Sequence, residues 1–317
     1  MSNTSDWWQE PIDLGNNQNQ PDNWRTCNSG SKGRDNGYND CGSKMLLKCN
    51  RHSTTAAMTP VLARASNRER LNIVGHGTNG FFETGAGQKG SGDPKTNIVF
   101  GGNKQYWEVP FKQLPSGASY ETYIFACNTG AGEEGADLLF ELAKTTGRKV
   151  RGCNGLVLCN SKWPPDPKYG LFLEKNAVWV IATPTQRPTP VDPPLVAMDH
   201  DSNSTALEIT LNETPQLVPV TSLVELKIER IDFLGGASTT RVLDTAETQK
   251  LASRLFGTKA QRLPGHLGAM VTAEIDLTID HPDFGGTYSF VLMNDRMLLD
   301  KTEQFGCFVA HDLSSFL

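Results

Sequence analysis

Short apolar runs separated by glycine-rich or polar turns dominate the first part of the chain. The runs at residues 71–74 and 123–126 have the length and apolar content of buried parallel strands. We interpret residues 97–100 and 105–109 as a β-hairpin at the carboxyl edge of the predicted sheet, where loops commonly shape substrate pockets. Further strand patterns lie at residues 44–49, 149–153, 156–159 and 177–182.

Two stretches between these runs predict helices. Residues 54–65 are rich in alanine and threonine, and residues 133–145 carry apolar side chains at helical spacing. The second stretch has acidic residues in its first turns, Lys144 near its end and Gly147 just beyond it, which suits the helix dipole and a glycine cap. The alternation of strands and helices predicts an α/β domain over residues 43–183, with a mostly parallel sheet in a three-layer arrangement.

The pattern changes on both sides of this domain. Five prolines within residues 183–195 are incompatible with a central strand or helix, so we place a linker at residues 184–195. Residues 196–317 alternate apolar and polar positions and predict a smaller α+β domain. Residues 1–42 are rich in asparagine, aspartate, glycine and serine and predict an irregular N-terminal arm. Within the smaller domain we predict strands at 206–211, 222–233, 269–279, 287–292 and 296–299, a helix at 245–256 and a hairpin turn at 293–295.

The composition is that of an ordinary globular protein. The 317 residues are 38% hydrophobic and 21% charged, with a formal net charge of −5. That charge gives no broad attraction to nucleic acid or to an anionic membrane, and no stretch reaches the roughly 18 apolar residues of a membrane span. The polar start lacks the features of a secretory signal, so we expect cytoplasmic synthesis, with signal-independent secretion left open.

The chain has seven cysteines, and this odd number favours mostly reduced thiols over a disulfide framework. Cys27, Cys41, Cys49 and His52 form a grouping that could be considered as a zinc set. Their spacing lacks the paired C-x-x-C knuckles of structural zinc sites. We therefore predict no metal and no other cofactor. Packing within strands is the expected role of Cys153, Cys159 and Cys307.

Two apolar runs each deliver a reactive side chain into a turn. His76 follows the run at 71–74, and Cys127 follows the run at 123–126. Because catalytic groups in α/β sheets gather beyond the carboxyl ends of the strands, we expect the two side chains to meet across one crevice. A small-residue loop and a helix follow Cys127, so free amides and the helix dipole would favour a thiolate and an oxyanion there. Taken alone, each residue is more often a buried cysteine or a histidine in a turn.

The residues around this pair resemble a known family. An apolar strand ending in His-Gly, followed by a strand ending in Ala-Cys, is similar to the caspase–gingipain clan of cysteine peptidases over about residues 44–182. The continuation Cys-Asn-Thr-Gly-x-Gly-x-x-Gly resembles bacterial caspase-like domains. The resemblance implies a caspase-like fold in which His76 is the general base or acid and Cys127 the nucleophile. It also implies an oxyanion hole formed by the amides of Gly77 and Cys127, and peptide-bond cleavage through an acyl-enzyme thioester.

The substrate residue that such an enzyme would select stays open. Phe125 occupies the position two residues before the nucleophile where caspases carry glutamine and metacaspases carry aspartate, so neither preference transfers. The candidate pocket residues are Phe125, Asn128, Glu83, Asp93 and Glu133. The acidic members suit a basic substrate residue as well as they suit a solvated rim.

The resemblance fits a bacterial effector, toxin or defence protease that acts on a protein or peptide substrate. The C-terminal domain would then recruit a substrate, a partner or an inhibitor. Two alternatives remain open at this stage. One is a caspase-like protein without activity that binds a peptide, and the other is a Cys-His acyltransferase or amidase.

Overall fold

The chain forms two compact units, and each is described by itself. The first comprises Ser5–Pro194 with Gly265–Met270, and the second comprises Met1–Thr4, Leu195–Pro264 and Val271–Leu317. No helix within the described ranges is long and apolar enough to cross a membrane. The computed structural model describes residues 8–11, 23–28, 49–52, 55–56, 59–64, 70–84, 98–160, 170–194, 205–212, 214–231, 237–256, 261–262, 266–267, 270–300 and 305–308.

Strands are the commonest element in both units. In chain order they are β1 (Trp8–Pro11), β2 (Asn23–Asn28), β3 (Cys49–His52), β4 (Arg70–Val74), β5 (Gly77–Thr78), β6 (Phe81–Glu83), β7 (Ile98–Phe100), β8 (Glu121–Phe125), β9 (Lys149–Cys153), β10 (Val157–Asn160), β11 (Gly170–Glu174), β12 (Trp179–Ala182), β13 (Ala206–Leu211), β14 (Thr214–Pro219), β15 (Leu223–Arg230), β16 (Thr239–Leu243), β17 (Gln261–Arg262), β18 (His266–Leu267), β19 (Val271–Ile279), β20 (Gly286–Met293), β21 (Met297–Asp300) and β22 (Phe305–Phe308). The α-helices are α1 (Thr59–Arg64), α2 (Lys104–Phe111), α3 (Gly132–Thr146) and α4 (Thr245–Leu255), and short 3-10 turns lie at Gly101–Asn103 and Val220–Ser222.

A six-stranded sheet forms the centre of the first unit. Its strand order is β12-β9-β8-β4-β2-β3. The strands from β3 to β9 in this order pair in parallel, and β12 pairs antiparallel with β9 at one edge. The same unit has two smaller antiparallel sheets, of order β5-β6-β7 and β1-β11-β10-β18. The protein is therefore mixed α/β, and its central sheet is mostly parallel.

One face of this sheet packs against the helices. Side chains at alternate strand positions point to the same face, and those of this face share one buried cluster with residues of α1, α2 and α3. Full burial of each large apolar side chain contributes about 1.5–3 kcal/mol relative to exposure. Members of the cluster are Leu62, Leu71, Ile73, Trp107, Phe111, Ile124, Leu138, Leu139, Leu142, Val150 and Val180.

Helix α3 confirms the prediction at 133–145 to within a residue at each end. Glu133 and Glu134 lie in its first turn and Lys144 lies in its last, as the helix dipole favours. Gly147 ends the helix with a φ of 64°, and its N–H donates to the Ala143 carbonyl at 2.8 Å. The left-handed conformation at this cap is one that glycine adopts without strain.

The predicted strand at 105–109 is wrong, because these residues belong to α2. Trp107 and Phe111 are one helical turn apart, and both are buried. Their rings meet edge to face with centroids 6.0 Å apart, and Trp107 Nε1 donates to the Phe100 carbonyl at 2.8 Å. Burial of two aromatic side chains on one helix face therefore outweighs the local preference for a strand.

The prediction of an irregular N-terminal arm fails for β1 and β2. Strand β2 lies inside the central sheet between β3 and β4, with Trp24 opposite Leu71 and Thr26 opposite Ile73. Its sequence has no apolar run, so its strand conformation depends on pairing with its neighbours. Of the first strand predicted at 44–49, residues 44–48 lie outside the described residues, and Cys49 belongs to β3, which pairs with β2.

The predicted linker is not a free spacer. Residues 183–194, here called the proline strap, belong to the first unit, and the division between the units falls after Pro194. The Val191 carbonyl accepts from Gly132 N at 3.0 Å, and the Asp192 carbonyl accepts from Asn154 Nδ2 at 2.7 Å. Proline removes N–H donors from a segment but leaves its carbonyls able to accept, which is how the proline strap is held.

In the second unit, an antiparallel sheet has the order β16-β15-β19-β20-β21-β22-β17, and β13 pairs with β14 in a separate hairpin. The predicted strands of this domain correspond to β13, β15, β19, β20 and β21, and its predicted helix is α4. Asp244 caps α4 by accepting a hydrogen bond from Glu247 N at 2.9 Å. In the predicted turn, Asn294 and Asp295 have φ values of 50° and 54°, the left-handed pair that tight hairpins use.

Candidate active site

The strands that precede His76 and Cys127 are direct neighbours in the central sheet. Strands β4 and β8 pair in parallel, with Val74 opposite Phe125. The Gly75 N–H extends this pairing by donating to the Phe125 carbonyl at 3.2 Å. His76 lies two residues after Val74, and Cys127 lies two residues after Phe125. Parallel strands in register present side chains at the same level to the same face.

The turns after these two strands touch at Gly77. A Cβ atom at Gly77 would lie 2.7 Å from Thr129 Oγ1, 2.8 Å from Ala126 Cβ and 2.9 Å from the Cys127 carbonyl oxygen. Real Cβ atoms essentially never approach other heavy atoms this closely. Glycine at position 77 therefore allows the backbone after His76 to rest against the backbone around Cys127.

A hairpin fixes the backbone of His76. The His76 carbonyl accepts a hydrogen bond from Glu83 N at 2.8 Å, and β5 begins at the next residue. Strands β5 and β6 then pair antiparallel, with Gly77 opposite Phe82. The His76 residue itself is only 7% exposed. The imidazole is thus attached to rigid backbone at the carboxyl edge of the sheet.

The Cys127 thiol is buried and bonded to one residue of β10. Cys127 is 0% exposed. Its Sγ accepts a hydrogen bond from Val157 N at 3.0 Å and lies 3.5 Å from the Val157 carbonyl, to which it donates. An N–H directed at sulfur stabilises the thiolate form, whereas complete burial separates the sulfur from solvent. The sulfur thus accepts an N–H bond, as a nucleophilic thiolate would, but it is not accessible to solvent.

The amides after Cys127 already have acceptors. Asn128 N donates to the Gly155 carbonyl and Gly130 N donates to the Cys153 carbonyl, both at 2.8 Å. Ala131 N also donates at 2.8 Å, to the Asn128 carbonyl. The expectation of free amides in this loop is therefore wrong for these three positions. Asn128 itself has a left-handed φ of 55° that lets the chain turn at once toward α3.

A second thiol lies beside the same turn and is of another kind. Burial raises the pKa of Cys153 to about 12. Its Sγ donates to the Ala126 and Gly155 carbonyls, each at 3.2 Å. Cys153 thus remains a neutral thiol at neutral pH and ties two backbone segments together, in keeping with its expected packing role.

A buried acid that the sequence patterns did not reveal is hydrogen-bonded to Leu156, the residue before Val157. Glu174, at the end of β11, is 2% exposed. Its Oε2 accepts from Leu156 N at 2.9 Å, and its own N–H donates to the Leu156 carbonyl at 2.9 Å. The one signal in the sequence is an acid that closes the apolar run Leu-Phe-Leu-Glu, which no strand prediction covered.

The residues predicted to line a pocket lie in different elements. Phe125 is buried, and its ring meets Trp179 edge to face with centroids 5.4 Å apart. Glu133 is exposed on α3 and pairs with Arg187 of the proline strap. Glu83 is half-buried in β6, Asn128 is buried in the turn after Cys127, and Asp93 lies outside the described residues.

No metal centre is found within the described ranges, which contain no group of three or more metal-ligating side chains in a suitable arrangement. Of the imagined zinc set, Cys27, Cys49 and His52 lie in β2 and β3, and Cys41 lies outside the described residues. Comparisons with protein-family models, with curated proteins and with solved structures gave no match.

Proposed function

We propose that the first unit is a caspase-like cysteine endopeptidase that uses His76 and Cys127. The observation that carries the proposal is the parallel pairing of β4 and β8 up to Val74 and Phe125, because His76 and Cys127 each follow these partners by two positions. The close approach of Gly77 to the Cys127 carbonyl supports it, because both turns then border one site. A histidine adjacent to a cysteine is the arrangement that nucleophilic thiol chemistry needs.

In the proposed reaction, the Cys127 sulfur attacks the carbonyl carbon of a peptide bond and its proton passes to His76. The amides of Gly77 and Cys127 stabilise the oxyanion. His76 then protonates the leaving amine as the thioester forms, and water hydrolyses the thioester with His76 as the base. Asn128 Oδ1, which is buried and has no hydrogen-bond partner within the described residues, suits a substrate N–H.

The burial of Cys127 implies a closed conformation. Its thiol is fully buried and bonded to the Val157 backbone, so we infer that a substrate reaches the sulfur only after Val157 moves. The same burial is the observation that favours the second candidate, a peptide-binding protein without activity. Acyl transfer or amide hydrolysis on a small molecule uses the same thiol and imidazole and differs in the acceptor of the acyl group.

The test compares Cys127→Ala and His76→Ala with the matched control Cys153→Ala. We expect the first two variants to lose cleavage of a peptide library by about a thousandfold or more, and Cys127→Ala to lose labelling by a thiol-directed probe. Thermal unfolding should change little in both. The control removes a neutral thiol at the end of β9, beside the turn of Cys127, and should keep labelling at Cys127.

Mass spectrometry of the library products separates the candidate functions and reports the substrate residue that is selected. Cleavage that persists in a folded Cys127→Ala protein would remove the proposed mechanism. Peptide binding without cleavage by the unaltered protein would favour the binding protein, and products that carry a transferred acyl group would favour the transferase. We further propose that the protease acts as a bacterial effector, toxin or defence protein, with the second unit recruiting a substrate, partner or inhibitor.

A further inference from the structure

We propose that Glu174 is a positioning residue for the Cys127 thiol. It holds the backbone of residues 155–157 so that the Val157 N–H points at Sγ and favours the thiolate. This inference rests on the proposed function, in which the thiolate is the nucleophile. Its test nevertheless reads the state of the thiol directly and does not require cleavage.

A single peptide group links Glu174 to the sulfur. The Leu156 carbonyl accepts from Glu174 N at 2.9 Å, and the Val157 N–H of the same peptide group donates to Cys127 Sγ at 3.0 Å. A peptide group is planar and trans, so holding its carbonyl sets the direction of its N–H. The Glu174 side chain adds a second anchor one position earlier, where Oε2 accepts from Leu156 N at 2.9 Å.

Gly155 is closely packed against Ala177 and the Glu174 side chain. A Cβ atom at Gly155 would lie 2.5 Å from Ala177 Cβ and 3.0 Å from Glu174 Oε2. The Asn128 N–H donates to the Gly155 carbonyl, which ties the turn after Cys127 to the same segment. The carboxylate of Glu174 therefore contacts the backbone at residues 155 and 156, which leads directly to Val157.

The hydrogen bond that Glu174 Oε2 accepts favours the Cys127 thiolate, whereas the negative charge of Glu174 disfavours it. As an acceptor, Oε2 holds the donor that stabilises the thiolate. As a negative charge, the carboxylate disfavours a second anion nearby, and it adds to burial in raising the pKa of Cys153. Among the described residues, the titratable groups of neighbouring elements are Cys153, which donates to the Ala126 and Gly155 carbonyls, Glu174, which accepts from Leu156 N, and His76, which follows the adjacent strand β4.

Two substitutions separate these effects in the full-length chain. Glu174→Gln keeps an oxygen acceptor and removes the charge, whereas Glu174→Met keeps the length and removes the acceptor. Alkylation of Cys127 by iodoacetamide is followed against pH by peptide mass spectrometry, which distinguishes Cys127 from the other cysteines. The midpoint of the profile reports the thiolate, and the plateau reports how readily the segment opens.

We expect the midpoint in Glu174→Gln to equal or fall below that of the unaltered protein. In Glu174→Met it should rise by about one pH unit, with a higher plateau. On peptide substrates, Glu174→Met should lower kcat about tenfold at neutral pH with little change in KM, and Glu174→Gln should restore it. A merely structural role would lower the thermal stability of both variants without separating their midpoints.

Equal midpoints in the two variants, or a lower midpoint in Glu174→Met, would overturn the positioning role. If Glu174→Met does not fold, a midpoint in Glu174→Gln above that of the unaltered protein overturns it. The expected shift in alkylation without any cleavage of peptides would instead defeat the proposed endopeptidase. The two proposals can thus fail separately.

Discussion

Gly77 joins the two turns of the candidate site, and its replacement by alanine tests that junction. The added Cβ atom would meet Thr129 Oγ1, Ala126 Cβ and the Cys127 carbonyl oxygen at 2.7–2.9 Å. Two of these three atoms belong to backbone or to a short side chain that cannot swing away. The strand ends must therefore separate by several tenths of an ångström, and overpacking of this kind costs about 1–3 kcal/mol.

Gly101→Ala is the matched control, because a Cβ atom at Gly101 has nothing within 4 Å. Thermal unfolding followed by circular dichroism should show a lower midpoint for Gly77→Ala by several degrees, and almost none for the control. Displacement of the catalytic groups should also lower the rate of cleavage and of probe labelling at Cys127 by about tenfold or more.

The refuting result is an equal effect of the two alanine substitutions. If Gly77→Ala unfolds and reacts as Gly101→Ala does, the turns do not rest against each other, and the register of β4 and β8 does not continue to His76 and Cys127. A lower unfolding midpoint with unchanged labelling would keep the contact but separate it from the chemistry.

Two further predictions concern stability. Burial opposes ionisation of Glu121, but hydrogen bonds from Arg151 and Lys149 outweigh it and lower the pKa from 4.5 to about 2. The stabilisation is therefore present above about pH 4.5 and is lost as the pH falls toward 2, so Glu121→Gln should flatten acid unfolding in this range; an unchanged acid profile would contradict it. In the second unit, Asp244→Ala should lower the free energy of unfolding by about 1 kcal/mol in urea titrations, because Glu247 N loses its cap, whereas Asp244→Asn should retain most of it.

Local patterns predicted those elements whose stability is local. The apolar residues of α3 recur at helical spacing within the helix itself. Its acidic first turn and Gly147 mark where it begins and ends. Strand β19 alternates buried and more exposed residues from Glu274 to Ile279, as an antiparallel strand with one solvated face does. His76 and Cys127 were found because each follows an apolar run, and neighbouring strand ends were expected from the α/β pattern.

Features that depend on distant partners could not be predicted in the same way. The role of the Glu174 side chain depends on its hydrogen bond with Leu156, which is 18 positions away in the sequence. The sequence of the proline strap predicts a linker, because the hydrogen-bond donors that hold it, Gly132 N and Asn154 Nδ2, lie in other segments. The cover over Cys127 is likewise formed by backbone atoms of Val157, to which the side-chain pattern gives no clue.

The internal position of β2 has a consequence for where the chain can be cut. Residues 1–42 resemble a dispensable extension, yet they supply the strand that separates β3 from β4. A shortened protein beginning at residue 43 would leave β4 with an open row of backbone donors and acceptors beside the strand that leads to His76. Such an unprotected edge invites pairing with another molecule, so the shortened chain should aggregate rather than report on the chemistry of the site.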